Sequence, residues 1–136
     1  MKRILLDTNA YAAFKRGEPH AIAVLRRAPE IGLCPIVLGE LLAGFALGTR
    51  TARNRRDLAE FMASPRVRQL PLDAETAEHY AALFASLRKK GRPMPTNDLW
   101  IAATALQHGL AIYSLDAHFR EMDNLIVGST LEDFLP

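Results

Sequence analysis

The chain has 136 residues, 49% of them apolar and 24% charged, with a net charge of +2. That length excludes a multidomain protein and suits one soluble domain over residues 1–136, and the composition is that of an ordinary globular core with a mixed surface. The one cysteine excludes an intramolecular disulfide and a cysteine zinc cluster, and it fits a reducing, cytoplasmic setting.

At the start, only three apolar residues, Ile4 to Leu6, stand between Lys2-Arg3 and Asp7, too few for a signal peptide. Residues 3–6 read instead as a buried strand. Asp7-Thr8-Asn9 then forms a natural helix N-cap, and Ala10–Lys15 continues as a short helix with Tyr11 and Phe14 packed inward. Gly17 ends it, and Pro19 opens a second helix at the first-turn position that proline tolerates. Ile31–Cys34 reads as a strand and Pro35–Leu47 as a buried apolar helix ended by Gly48. The apolar run from Ile31 to Thr49 is about as long as a membrane span, but Pro35 splits it and Glu40 stands inside it, so no span is expected.

Thr51–Met62 is amphipathic, with an arginine-rich polar face. Val67–Leu70 reads as a third strand. Ala74–Lys89 is the clearest amphipathic helix, with Ala77, Tyr80, Ala81, Phe84 and Leu87 on its apolar face. A loop with Pro93 and Pro95 follows. Thr96 is expected to cap a helix running to His108, which Gly109 closes. Leu110–Ser114 reads as a fourth strand, Ala117–Met122 as a short helix and Leu125–Val127 as a last strand. Strands alternating with helices imply an α/β fold, a parallel sheet covered on both faces. In such folds, sites form beyond the carboxyl ends of the strands. Asp7 directly follows the first strand, and Asp116 lies just past the fourth.

Four acids stand where apolar, small or capping residues would otherwise be expected: Asp7, Glu40, Asp98 and Asp116. Glu40 is the only charged residue between Ile31 and Thr49, and its helical neighbours are Ile36, Val37, Ala43 and Gly44. A bare charge in such surroundings needs a partner. A buried arginine is the plain alternative for Glu40. Asp7 and Asp116 have the alternative role of N-caps. Asp98 sits in a first helical turn, where carboxylates favour the macrodipole, but it is also in line with Ile101, Ala102 and Ala105. One divalent cation would serve all four, and an oxygen-only donor set suits Mg²⁺ or Mn²⁺.

Two basic clusters complete the picture. Arg53 and Arg56 belong to one, with Arg50 and Arg55; Arg88, Lys89, Lys90 and Arg92 form the other. Each alone reads as a solvated helix face. Flanking a carboxylate site, they are candidates for binding a polyanion such as RNA. His20, His79, His108 and His118 have no metal-ligand spacing, and neither a dinucleotide nor a P-loop fingerprint is present.

Leu5-Leu6-Asp7-Thr8-Asn9, Gly39-Glu40-Leu41-Leu42-Ala43-Gly44, Asn97-Asp98-Leu99-Trp100-Ile101-Ala102-Ala103 and Ser114-Leu115-Asp116-Ala117-His118-Phe119 resemble, in order, the four signature blocks of the PIN domain, and more closely the VapC-type toxins of bacterial and archaeal toxin–antitoxin pairs. The resemblance covers nearly the whole chain. It implies a three-layer α/β/α sandwich around a short, mainly parallel sheet and a metal-dependent endoribonuclease. Asp7, Glu40, Asp98 and Asp116 would be its acidic quartet. Thr8, Asn9, Asn97 and Ser114 would be the polar residues around it. The expected partners are an RNA substrate, a cognate antitoxin and a second copy of the chain in a homodimer, with no membrane. Cys34 and Val37 stand where many relatives carry serine or threonine.

Two other classes stay open from the residues alone. One is a PIN-like binding module without turnover, its acids holding a partner's arginine. The other is a receiver-type phosphoacceptor domain, for which Asp73, after the third strand, would be the acceptor.

Overall fold

The structure is a computed structural model and describes residues 1–136. The strands are β1 (Ile4–Leu6), β2 (Ile31–Leu33), β3 (Val67–Gln69), β4 (Ala111–Tyr113) and β5 (Val127–Gly128). They form one five-stranded sheet in the order β3-β2-β1-β4-β5, and every pairing is parallel. β1, β2 and β4 are apolar and fully buried, as strands covered on both faces must be. β3, Val67-Arg68-Gln69, is largely exposed and polar, which suits an edge.

The helices are α1 (Thr8–Lys15), α2 (Pro19–Arg27), α3 (Pro35–Leu47), α4 (Thr51–Met62), α5 (Ala74–Lys89) and α6 (Thr96–His108). The chain winds outward from β1 to β2 to β3. It then returns through α5 and α6 to place β4 on the other side of β1. Right-handed crossovers put the helices before β3 on one face of the sheet and the returning pair on the other. The reversal of winding opens a crevice between the carboxyl ends of β1 and β4. The backbone N–H of Asp7 donates to the Tyr113 carbonyl at 3.0 Å, which locks the two strand ends side by side. No helix is long and apolar enough to cross a membrane.

The expected elements are present, with local differences: α1 already begins at Thr8, and the segment after Asp116 is a 3₁₀ turn, Ala117–Glu121. The strands are trimmed by a residue at one or both ends, and β5 is shifted to Val127–Gly128. The N-cap of α6 is Pro95, and Thr96 is its first helical residue, so no side chain caps this helix. Helix α3 was expected to be buried, but only Val37 and Leu41 are, and Leu47 is 92% exposed. Its sequence is apolar all round, so no stripe says which side faces the core. In α5 the buried residues are Thr76, Leu83 and Leu87, whereas Ala77, Ala81 and Phe84 are exposed. Thr76 turns inward because its hydroxyl completes a capping box with Asp73 and bonds Gln107 of α6.

A glycine fixes the C-terminal closure. A Cβ on Gly128 would lie 2.5 Å from Asp133 Cβ and 2.7 Å from Phe134 Cζ, and the Phe134 ring is fully buried. Gly128→Ala is therefore expected to cost about 1–3 kcal/mol through overpacking. The thermal midpoint should fall by roughly 4 °C per kcal/mol. An unchanged midpoint would mean that the 131–134 turn simply moves aside.

Candidate active site

Each of the four acids is delivered by a different piece of the crevice rim. Asp7 caps α1 straight after β1, and its Oδ1 accepts from the Thr8 backbone N–H at 2.9 Å. Its Oδ2 accepts from the Ser114 hydroxyl at 2.7 Å, across the β1–β4 seam. Asp116 follows β4 and caps the 3₁₀ turn Ala117–Glu121, accepting from the His118 N–H at 3.0 Å. Glu40 reaches in from the second turn of α3 and Asp98 from the first turn of α6.

The polar residues expected around the quartet are all in contact with it or with each other. Thr8 donates its hydroxyl to Glu40 at 2.7 Å, and the Asn97 amide reaches Glu40 at 3.5 Å. Asn9 holds the Leu115 N–H at 2.9 Å through its side-chain oxygen, and Ser114 Oγ accepts from the Asp116 N–H at 3.0 Å. These bonds tie the start of α1 to the loop after β4. Glu40 thus finds a threonine and an asparagine rather than the arginine that a structural ion pair would need. Cys34, the N-cap of α3, makes no side-chain capping bond.

The electrostatics of the site are one-sided. Asp7 is 6% exposed, and its carboxyl is held above the ordinary value of 3.8 by burial first. The Ser114 and Thr8 hydrogen bonds pull it down, and the charges of Glu40 and Asp116 push it up again. Asp98 is also raised, by burial and then by the charges of Asp7, Asp116 and Glu40, with His118 as the opposing influence. Four carboxylates therefore feel one another. No lysine or arginine lies within ion-pair distance of Asp7, Glu40 or Asp98. The carboxylate of Asp98 has no protein hydrogen-bond donor among the influences on it.

A cation fits this donor set, because the crevice gathers negative charge and offers only oxygen. As placed, no three of the side chains converge to ligand distance on one point. Thr8, Ser114 and His118 are instead in contact with Glu40, Asp7 and Asp116 respectively. The site is also shallow. The largest hollow, about 460 Å³, lies elsewhere, among Phe14, Ile22, Leu25 and Phe61. A polymer substrate needs an open rim rather than an enclosed pocket.

His118 is exposed and places Nδ1 3.0 Å from Asp116 Oδ2, two residues after that capping aspartate. Asp73, by contrast, lies beyond edge strand β3. Its Oδ1 is taken by the Thr76 N–H and hydroxyl and by Gln107, which is the work of a helix cap rather than a phosphoacceptor. Of the basic candidates, Lys90 pairs with Asp123 and Arg92 with Glu121, while Arg88 lies over the Phe84 ring. Arg53, Arg56 and Lys89 are exposed and make no ion pair.

The PIN domain family model matches residues 4–125. The chain is 31% identical over 129 residues to Ribonuclease VapC4 of Mycobacterium tuberculosis, covering 93% of this chain and 96% of that protein. The fold is similar to the DNA-bound VapBC structure from Salmonella typhimurium, with a TM-score of 0.82, 24% identity, and coverage of 94% of this chain and 98% of that one. It is also similar to VapBC-1 from nontypeable Haemophilus influenzae, with a TM-score of 0.78, 25% identity, and coverage of 92% and 96%.

Proposed function

The chain belongs to the PIN-domain family, and from that premise we propose that it is a divalent-metal-dependent endoribonuclease, the toxin of a cytoplasmic toxin–antitoxin pair. The observation that carries the reading is the crevice itself. Four carboxylates from four separate elements face one another there, and no lysine or arginine neutralises Asp7, Glu40 or Asp98.

Asp7 and Asp98 would hold Mg²⁺ or Mn²⁺ most directly, with Glu40 and Asp116 completing the shell. When bound, the cation supplies an acidified water and stabilises charge on the phosphate in flight. The chain's own residues do the rest. Ser114 holds Asp7 in place, and Thr8 and Asn97 hold Glu40. His118 sits against Asp116, where its imidazole would be within reach of a phosphate oxygen. In-line attack leaves a 5′-phosphate and a 3′-hydroxyl. Arg53, Arg56 and Lys89, with Arg50 and Arg55, are basic side chains free to meet the RNA backbone.

The exposed apolar surface of α3 supports an antitoxin partner. Beside it runs a hollow of about 210 Å³ lined by Tyr11, Lys15, Leu41 and Phe45 among others. An antitoxin segment laying apolar side chains there would cover surface that a lone chain leaves wet.

The test is cleavage of RNA by the purified chain. Activity is expected with Mg²⁺ or Mn²⁺, to cease with excess EDTA, and to return when metal is restored. The products should carry 5′-phosphates. Cleavage that continues in EDTA, or that leaves a 2′,3′-cyclic phosphate, would sink the reading.

A further inference from the structure

A hollow of about 430 Å³ opens on the side of α5 turned toward residues 122–124. His79, Ala82, Ser86 and Lys89 recur every three or four residues and so share that side of the helix. The floor is apolar, with Leu83, Leu87 and Met122 buried there beside Leu106 of α6. The rim is polar and uncommitted. His79, Ser86 and Asn124 line it, and none of their side chains makes a hydrogen bond or an ion pair within the chain. Asp123, also at the rim, is held by Lys90, so the mouth carries no unpaired carboxylate. Ala82 is the small residue that leaves the space open. Asn124 has a φ of 62°, in the left-handed region that asparagine enters more readily than most side chains. That turn of the backbone lays residues 122–124 along the hollow.

We propose that this hollow receives an adenine base, presented by the RNA on which the crevice acts. The inference rests on the nuclease reading and names a base that the substrate carries. A flat, neutral ring suits an apolar floor, and a polar rim reads its edge. Splayed bases of single-stranded RNA are recognised in this way. The Asn124 amide can donate to and accept from one ring edge at once, the pairing that asparagine makes with N7 and the N6 amino group of adenine. The Ser86 hydroxyl and the His79 imidazole can donate to or accept from the remaining ring positions. An inorganic anion is the poorer occupant, because Asp123 would repel it. A metal ion is poorer too, because Lys90 already neutralises Asp123. The location suits a polymer. Residues 122–124 follow directly on the five-residue 3₁₀ turn that Asp116 caps, a span of about 10 Å at the 3₁₀ rise. A strand leaving the acidic crevice along that turn would bring its phosphates past Arg120 and Lys89, both exposed and unpaired.

Binding to full-length Asp98→Asn protein tests this without cleavage. Adenosine is expected to shift the His79 imidazole signals in its NMR spectra, and uridine at the same concentration to leave them in place. An RNA oligonucleotide with one adenine in a uracil run should bind about tenfold more tightly than uracil alone, the discrimination of one bidentate amide contact. Asn124→Gly keeps a residue at ease in the left-handed region and removes the amide, so that preference should disappear. Ala82→Trp fills the hollow and should abolish the His79 shift. With the quartet intact and Mg²⁺ present, both variants should lose an adenine preference at one fixed position relative to the cut. Equal binding of the two oligonucleotides would overturn the inference, as would an Asn124→Gly protein that keeps the full preference. So would a His79 shift with adenosine but unchanged RNA selectivity in both variants, which would make the hollow a free-nucleoside site. RNA cut with metal but without base preference would overturn the base site alone. RNA bound with adenine preference and left uncut by the wild type would support the base site and overturn the nuclease reading alone.

Discussion

Asp98→Asn protein is expected to lose RNA cleavage by at least about 10²–10³-fold, the loss seen when one group that stabilises developing charge is removed. Asparagine keeps the shape of the side chain and removes only its charge. Asp98 is the carboxylate best suited to accept a cation, because it is part-buried among Asp7, Asp116 and Glu40 and engages no protein donor. Asp7→Asn should be as damaging, since Asp7 faces the same crevice with one oxygen toward Ser114 and the other toward Thr8. If the two acids serve one metal site, the double variant should be little worse than either single one, as groups that act as a unit are strongly non-additive. Single-turnover cleavage rates at saturating Mg²⁺, with circular dichroism to confirm folding, measure this. Near wild-type cleavage by either single variant would remove the shared site. Fully additive losses would split the quartet into independent functions.

Stability is expected to respond to the same charges without any substrate. Asp7 and Asp98 both have folded-state carboxyls above the ordinary 3.8, each through burial first and through neighbouring acids as well. A raised carboxyl means that the folded chain binds its proton more tightly than the unfolded chain does. The contribution to stability is therefore fully present below pH 3.8 and is lost as pH rises through the raised values. Above the raised values the metal-free fold carries that loss in full. Asp98→Asn removes one of the mutually repelling charges and should raise the metal-free melting temperature at pH 7 by a few degrees. The gain should shrink as pH is lowered toward 4. Added Mg²⁺ should stabilise the wild type by mass action, by about 2.7 kcal/mol at a hundredfold excess over its dissociation constant, and the variant much less. Thermal melts at several pH values, with and without Mg²⁺, read both effects. A lower metal-free melting temperature for Asp98→Asn at pH 7 would instead make Asp98 a stabilising first-turn carboxylate.

The order of elements and the parallel sheet were legible in the chain, and so were the unusual settings of the four acids. The reason is that each rests on a local rule. A strand buried on both faces is a short apolar run, a helix opens at Asp, Thr or Pro and closes at Gly, and a charge in an apolar run is conspicuous wherever it lies. Helices α3, α4 and α5 begin and end at the residues expected, α3 with a proline at its start and a glycine at its end. Asp7 and Asp116 were legible as caps and as crevice residues for the same cause, since a post-strand aspartate is both.

The tertiary structure decided what no local rule can carry. It placed β1 between β2 and β4, and only that order sets Asp7 against Ser114 and opens the crevice where the winding reverses. It gave Glu40 a threonine and an asparagine from 32 and 57 residues away, which a reading of α3 by itself cannot supply. It turned α5 so that Thr76, Leu83 and Leu87 face inward and Phe84 outward, because the capping box and Gln107 hold Thr76 at the interface with α6. Periodicity states how wide an apolar stripe is. Which part of a wide stripe meets the core, and which is left to meet something else, depends on the neighbours that the fold brings to it.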